Sequence, residues 1–245
     1  MFNITSRVKQ KILIACIVGF AVYALFNISA MIFYPGGTSV DKDRIGYSFT
    51  ENFFSDLGMV ETYAGQSKTI SLLLFASALI LIGILLLLFV VVFRSYFDGS
   101  KLERYSSRIG SVGGVLAGIS CIGIAVTPWD LYLEAHTVFS YILSISFLIT
   151  FIAYAIAIYV NREYPNTYAV VLVIYMFFLL IFMGLMIFGP NINTSTGLRV
   201  LAIGQKIVLY LGMLCIFIQF LGAFFYNRKQ DRLPAAKARC PVQAT

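Results

Sequence analysis

The sequence predicts an all-α polytopic membrane protein, a six-transmembrane-helix bundle with a short interfacial helix on its outer side. Three observations predict it. Hydrophobic residues make up 60% of the chain and charged residues only 12%, with mean hydropathy +0.87. A water-soluble domain carries about 25% charged residues, so lipid must solvate most of this surface. Apolar stretches recur at 12–34, 70–93, 109–127, 137–160, 168–189 and 198–226. Each is long enough for the roughly 20 residues that cross a bilayer. The first five contain no Asp, Glu, Lys or Arg. Their length and continuity exclude barrel strands, which alternate over about 10 residues. Finally, thirteen of the 18 Lys and Arg fall on one side of a six-helix topology. The other side holds Lys42, Arg44, Lys68, Arg199 and Lys206. This is the positive-inside bias, and it predicts a multi-pass protein of the cell membrane with both termini cytoplasmic. A net charge of +7 spread in this way points to membrane orientation and not to nucleic acid.

Residues 1–227 read as one membrane domain and 228–245 as a basic cytoplasmic tail whose Lys and Arg meet anionic headgroups. The first stretch follows Arg7, Lys9 and Lys11, but its apolar core is too long for a signal peptide, so it is read as an anchor. The connection 35–69 is too long to be a bare turn. Within it, Ser48-Phe49-Thr50-Glu51 fits a capping box and Gly58 a helix stop, which predicts a short interfacial helix between them. The third stretch carries Gly110, Gly114 and Gly118 at four-residue spacing, beside Gly113. Small residues so spaced let helices approach closely, inside the bundle or between two copies. Thr127-Pro128-Trp129-Asp130 reads as another helix start, with proline at its first position and a carboxylate near its positive end, in a short connection that runs almost directly into the fourth stretch. The uncharged part of the sixth stretch, 207–226, can cross alone, which leaves Lys206 at the outer edge and Arg199 two turns above it. Cys16, Cys121 and Cys215 lie inside spans and Cys240 in the tail, so the cysteines read as small apolar side chains and not as a disulfide framework. Asn193-Thr194-Ser195 fits a glycosylation sequon that matters only in a secretory pathway.

Candidate chemistry collects on the outer side. Ser55, Asp56, Asp130 and His136 are the residue types of a nucleophile, an orienting acid and a base. Glu134, Arg199, Gln205 and Lys206 are placed to hold a substrate. In that scheme His136, whose ordinary pKa of about 6.5 is nearest working pH, is the general base. Arg199 or Lys206 would hold a phosphate or a developing oxyanion. A single histidine cannot supply a His-rich zinc site, so no metal is expected, although His136 with Asp56, Asp130 or Glu134 remains open as a ligand set. No P-loop, dinucleotide or haem motif is present, and no cofactor is expected.

The segments Tyr34-Pro35-Gly36-Gly37 and Gly46-Tyr47-Ser48-Phe49, with Glu51-Asn52-Phe53-Phe54-Ser55-Asp56-Leu57-Gly58, resemble a known family. They are similar to the prokaryotic six-helix membrane proteins called domain of unknown function 998. Pro128, Asp130 and His136 before the fourth helix and Gln205-Lys206 early in the sixth fit the same pattern. The resemblance covers most of the chain. It extends distantly to the DRAM/Frag proteins, linked to lipid handling, and to the CREST membrane hydrolases, whose His-x-x-x-His pair is missing here. It implies an outer-facing site and membrane lipids as partners. Binding or modification of a lipid or lipid-linked substrate is the leading expectation. A small-solute or proton transporter and a non-catalytic scaffold are the alternatives, and no span carries the mid-membrane charge or proline break of many transporters.

Overall fold

The computed structural model describes residues 4–239, so Cys240 and the end of the basic tail lie outside the described residues. Six helices account for the apolar stretches: α1 Ser6–Ile32, α2 Thr69–Arg94, α3 Lys101–Val126, α4 Leu133–Val160, α5 Thr167–Phe188 and α6 Ser195–Arg239. All six are long and apolar enough to cross a membrane. No strand forms among the described residues, only two isolated bridges, Gly36 with Ile45 and Glu61 with Ser67. Each helix packs against the next in sequence, and α6 closes the ring on α1. One end of the bundle therefore gathers residues 33–68, 127–132 and 189–194, here called the loop end. The other gathers both termini.

The helices extend past the apolar stretches where local capping allows. The charged turns Lys101–Arg108 belong to α3, because the Ser100 hydroxyl accepts from the Glu103 amide at 3.1 Å and the Glu103 carboxylate accepts from Gly99 N–H at 3.2 Å. The fourth helix starts four residues before the apolar stretch 137–160, and the separate helix start expected at 127–130 does not form. Residues 128–132 form a turn, with Leu131 and Tyr132 N–H donating to the Pro128 carbonyl, and α4 begins at Leu133. The Asp130 carboxylate is drawn away from that helix end, to the amides of Val60 and Glu61 at 2.8 and 3.1 Å.

The glycine face of α3 is spent inside the bundle. A Cβ on Gly113 would lie 2.5 Å from the Thr150 hydroxyl of α4, and one on Gly110 2.7 Å from the Tyr154 ring. A Cβ on Gly118 would lie 2.9 Å from the Gly83 carbonyl of α2. Backbone-to-backbone approach of this kind gains dispersion where water supplies no hydrophobic force. Cys16, Cys121 and Cys215 are free and buried.

Residues 33–68 fold over the loop end. Gly36 and Gly37 take positive φ of 144° and 87°, and a Cβ on Gly36 would meet the Arg44 carbonyl at 2.1 Å. Only glycine permits this backbone, and it closes a small loop in which Gly37 N–H donates to Arg44 and Gly46 N–H to Pro35. The interfacial helix is shorter and tighter than expected, a 3-10 turn Phe54–Gly58. The capping box at Ser48 does not form. Asn52 Oδ1 takes the Ser48 N–H at 2.8 Å, Asp56 Oδ2 takes the Phe53 N–H at 3.0 Å, and Glu51 turns instead to two arginines.

Candidate functional site

A polar cluster buried under residues 33–68 dominates the loop end. Asn52 is fully enclosed, and Asp56, Lys68 and Lys206 are each exposed by 2% or less. Burying such groups costs several kcal/mol unless they satisfy one another. Asn52 Nδ2 donates to the Gly37 carbonyl at 2.9 Å and to Asp56 Oδ2 at 3.0 Å. Asp56 Oδ1 accepts from the Tyr63 hydroxyl at 3.4 Å. The Lys68 ammonium donates to the carbonyls of Asp56 and Leu57 at 2.6 and 2.8 Å and lies 5.0 Å above the Tyr34 ring. Lys206 donates to the Asn52 carbonyl and sits over the rings of Tyr47 and Phe49. Both lysines thus cap carbonyls at the two ends of the 3-10 turn and leave the Asp56 carboxylate to Asn52, Phe53 and Tyr63.

Burial sets the charge of this cluster. Loss of water raises the Asp56 carboxyl to about 6, against the pull of its Asn52 and Phe53 hydrogen bonds and of the two ammoniums. The same loss lowers the Lys68 ammonium to about 7, with Asp56 and Asp130 opposing the shift. Tyr63 is pushed up by burial first and by the Asp56 charge second.

A second, more open layer lies beside the cluster. Glu51, 4% exposed, accepts Arg44 at 2.8 Å on one oxygen and both Nε and Nη2 of Arg199 on the other, at 2.8 and 2.7 Å. Gln205 accepts the Phe54 N–H at 2.7 Å. Phe49 stacks on Tyr210, centroids 5.9 Å apart. Arg199, Gln205 and Lys206 of α6, and Asp130 of the α3–α4 turn, therefore all grip residues 33–68 together with Asp56.

Ser55, Glu134 and His136 stand apart. Ser55 is half-buried and makes no side-chain hydrogen bond, Glu134 is exposed, and His136 Nδ1 lies 2.8 Å from the Thr127 carbonyl. That contact places the proton on Nδ1 and leaves Nε2 as the acceptor. No Ser55–His136 hydrogen bond forms. Among the described residues no three His, Cys, Asp or Glu side chains gather in a way that would hold a metal. Buried hydrogen-bonding capacity remains unspent at Ser48 Oγ, Trp129 Nε1 and Asp130 Oδ1.

Residues 27–222 match the family model described as Protein of unknown function (DUF998). The chain belongs to this family. No curated protein and no solved structure matches it. The DUF998 region spans the whole loop-end assembly, from Tyr34 through Lys206. Arg44, Glu51, Asn52 and Lys68 take part in this DUF998 site and escape a reading of residue types. Arg44 and Lys68 read as outer-side basic residues, Asn52 enters only through the segment that carries the family resemblance, and Glu51 reads as a helix cap. The one available signal is position: a lysine at the threshold of an apolar run must either snorkel or bury its charge.

Proposed function

We propose that the chain binds the anionic headgroup of a membrane lipid at the loop end, and that this end faces outward. One observation carries the reading. Arg44 and Arg199 converge on a single buried carboxylate, yet their side chains stay 42% and 58% exposed. Each guanidinium has five donors, and one carboxylate cannot use them all. The unused donors are exposed at the loop end, and their planar fork suits phosphate oxygens. The Phe49–Tyr210 stack adds an aromatic surface about 16 Å farther along α6 than Arg199. Chemistry by Ser55 and His136 forms no part of this reading, since neither side chain engages the other.

The test is a thermal-shift titration of delipidated protein with dihexanoyl phosphatidylglycerol and dihexanoyl phosphatidylcholine. The anionic lipid is expected to bind about tenfold more tightly, and Arg199→Ala to remove that preference, as loss of one charged hydrogen-bonding group of about 1.5 kcal/mol predicts. Equal binding of the two lipids by the unaltered protein overturns the proposal.

Orientation is tested separately. In a background with Cys240 replaced by serine, Ser39→Cys should react with an impermeant maleimide added to intact cells, and Asp98→Cys only after lysis. Both positions are exposed at opposite ends of the bundle. The reverse pattern would place the loop end in the cytoplasm.

A further inference from the structure

The hairpin that leaves α1 is rigid, and it holds one large apolar side chain clear of the protein. Gly46 N–H donates to the Pro35 carbonyl at 2.9 Å and Gly37 N–H to the Arg44 carbonyl at 2.8 Å, so residues 35–37 and 44–46 run side by side. Thr38 N–H closes the tip on the Asp41 carbonyl at 2.7 Å, and Asp43 N–H donates to Asp41 Oδ1 at 3.2 Å. Ile45 pairs with Gly36 across the hairpin and is 94% exposed. Neighbouring residues of an extended segment point to opposite sides. Arg44 reaches inward to Glu51, so Ile45 points away from the fold. A backbone bonded on both sides gives Ile45 no way to turn back and bury itself, although burial of such a side chain is worth about 1.5–3 kcal/mol. Its cover must come from outside the fold.

We infer that Ile45 rests in the bilayer interface, so that the hairpin 35–46 is a membrane contact whose partner is the lipid surface. Depth supports the assignment. From Lys11, the last charged residue before the apolar run, to Ile32, α1 rises about 32 Å. The hydrocarbon core is about 30 Å thick, so Ile32 marks its edge at the loop end. Ile32 and Phe33 are 73% and 53% exposed there. Pro35, which holds Gly46, follows Phe33 by two residues, at most about 7 Å of chain. The interfacial layer outside the core is about 5–8 Å thick on each side, so the base of the hairpin starts within it. Ile45 thereby continues the lipid-facing surface of α1. Polarity agrees with depth. The tip of the hairpin exposes Asp41, Lys42 and Asp43, which suit water, whereas its base exposes an isoleucine. The contact stands on the geometry of the hairpin and does not depend on the headgroup reading.

The test uses the full chain in nanodiscs of phosphatidylcholine, with and without bromine on the chains close to the headgroup. Trp129→Phe removes the sole tryptophan, and Ile45→Trp and Lys42→Trp are compared in that background. Tryptophan favours the interface equally at either position, so a difference between the two reports where each lies. Both replaced residues are exposed, and a light-scattering melting midpoint equal to that of Trp129→Phe shows that each variant is folded. Ile45→Trp should lose most of its emission in the brominated lipid and resist aqueous iodide, and Lys42→Trp should do the reverse. Iodide quenching of both, with no effect of bromine, overturns the contact. Equal bromine quenching of both overturns it too, since Ile45 would then not be the point of entry. Shielding of Ile45→Trp from bromine and iodide alike also overturns it, and assigns the cover to protein. The lipid is zwitterionic, so failure here leaves the headgroup reading intact, and loss of the phosphatidylglycerol preference leaves this contact intact.

Discussion

Asn52→Ala is expected to be the most damaging single truncation in residues 33–68. The side chain is fully enclosed and serves four groups: the Ser48 N–H, the Gly37 carbonyl, the Tyr34 hydroxyl and Asp56 Oδ2. Removing it leaves a buried amide, a buried carbonyl and a carboxylate oxygen each short of a hydrogen bond. The cost is about 3 kcal/mol, and more if the Asp56 charge stays buried. For a chain of this size that lowers the unfolding midpoint by about 5–10 °C. Trp129 is the sole tryptophan, and its ring lies 6.0 Å from that of Tyr63 at the edge of the cluster. Its fluorescence during thermal unfolding in detergent is therefore a direct probe. Ser55→Ala is the control, since that hydroxyl makes no hydrogen bond, and its midpoint should stay within about 1–2 °C of the parent. Equal midpoints for the two variants would mean that the Asn52 network contributes nothing.

Lys68→Met should change how stability depends on pH. The folded Lys68 has its value lowered to about 7 from 10.5 by burial. Between these values the unfolded chain carries the proton and the folded chain does not, so stability rises with pH across that window. The contribution is fully present above the unfolded value and is lost as pH falls through about 7. At about 1.4 kcal/mol per unit of pKa, the swing is several kcal/mol. Asp56 acts with the opposite sign in a separate window. Its value is raised from 3.8 to about 6, so its contribution is present below about 4 and is lost as pH rises through about 6. The measurement is the midpoint of the unaltered protein minus that of Lys68→Met, taken from pH 7 to pH 10. The difference should grow in favour of the unaltered protein by about 5–10 °C. Parallel curves would show that Lys68 titrates as an exposed lysine.

Both expectations concern residues whose importance the sequence hides, and the reason is physical. Hydropathy follows from composition along the chain, and the bilayer demands about 20 apolar residues per crossing. The six spans are therefore legible one residue after another. The Gly110, Gly113, Gly114 and Gly118 face is legible too, because helical periodicity alone places those positions on one side. The ends of the elements are less so. Proline at 128 starts a turn and not a helix, because the carboxylate of Asp130 finds the amides of Val60 and Glu61, some seventy residues earlier. Ser48 and Glu51 match a capping box, yet Glu51 is claimed by Arg199 across the fold. A local motif loses whenever a distant charge offers the same side chain a stronger pairing.

By itself, then, the sequence determined that the chain crosses a membrane six times and that its polar residues collect at the ends of the helices. It also marked residues 46–58 as the segment unlike the rest. Only the tertiary structure decided which ends meet. It set Lys68 and Lys206, 138 positions apart, onto the carbonyls of one short turn. It drew Asp130, Arg199 and Gln205 onto the same segment and tied His136 to the Thr127 carbonyl instead. Burial did this, because a charge withdrawn from water must find its hydrogen bonds in whatever backbone the packing of the helices brings within reach.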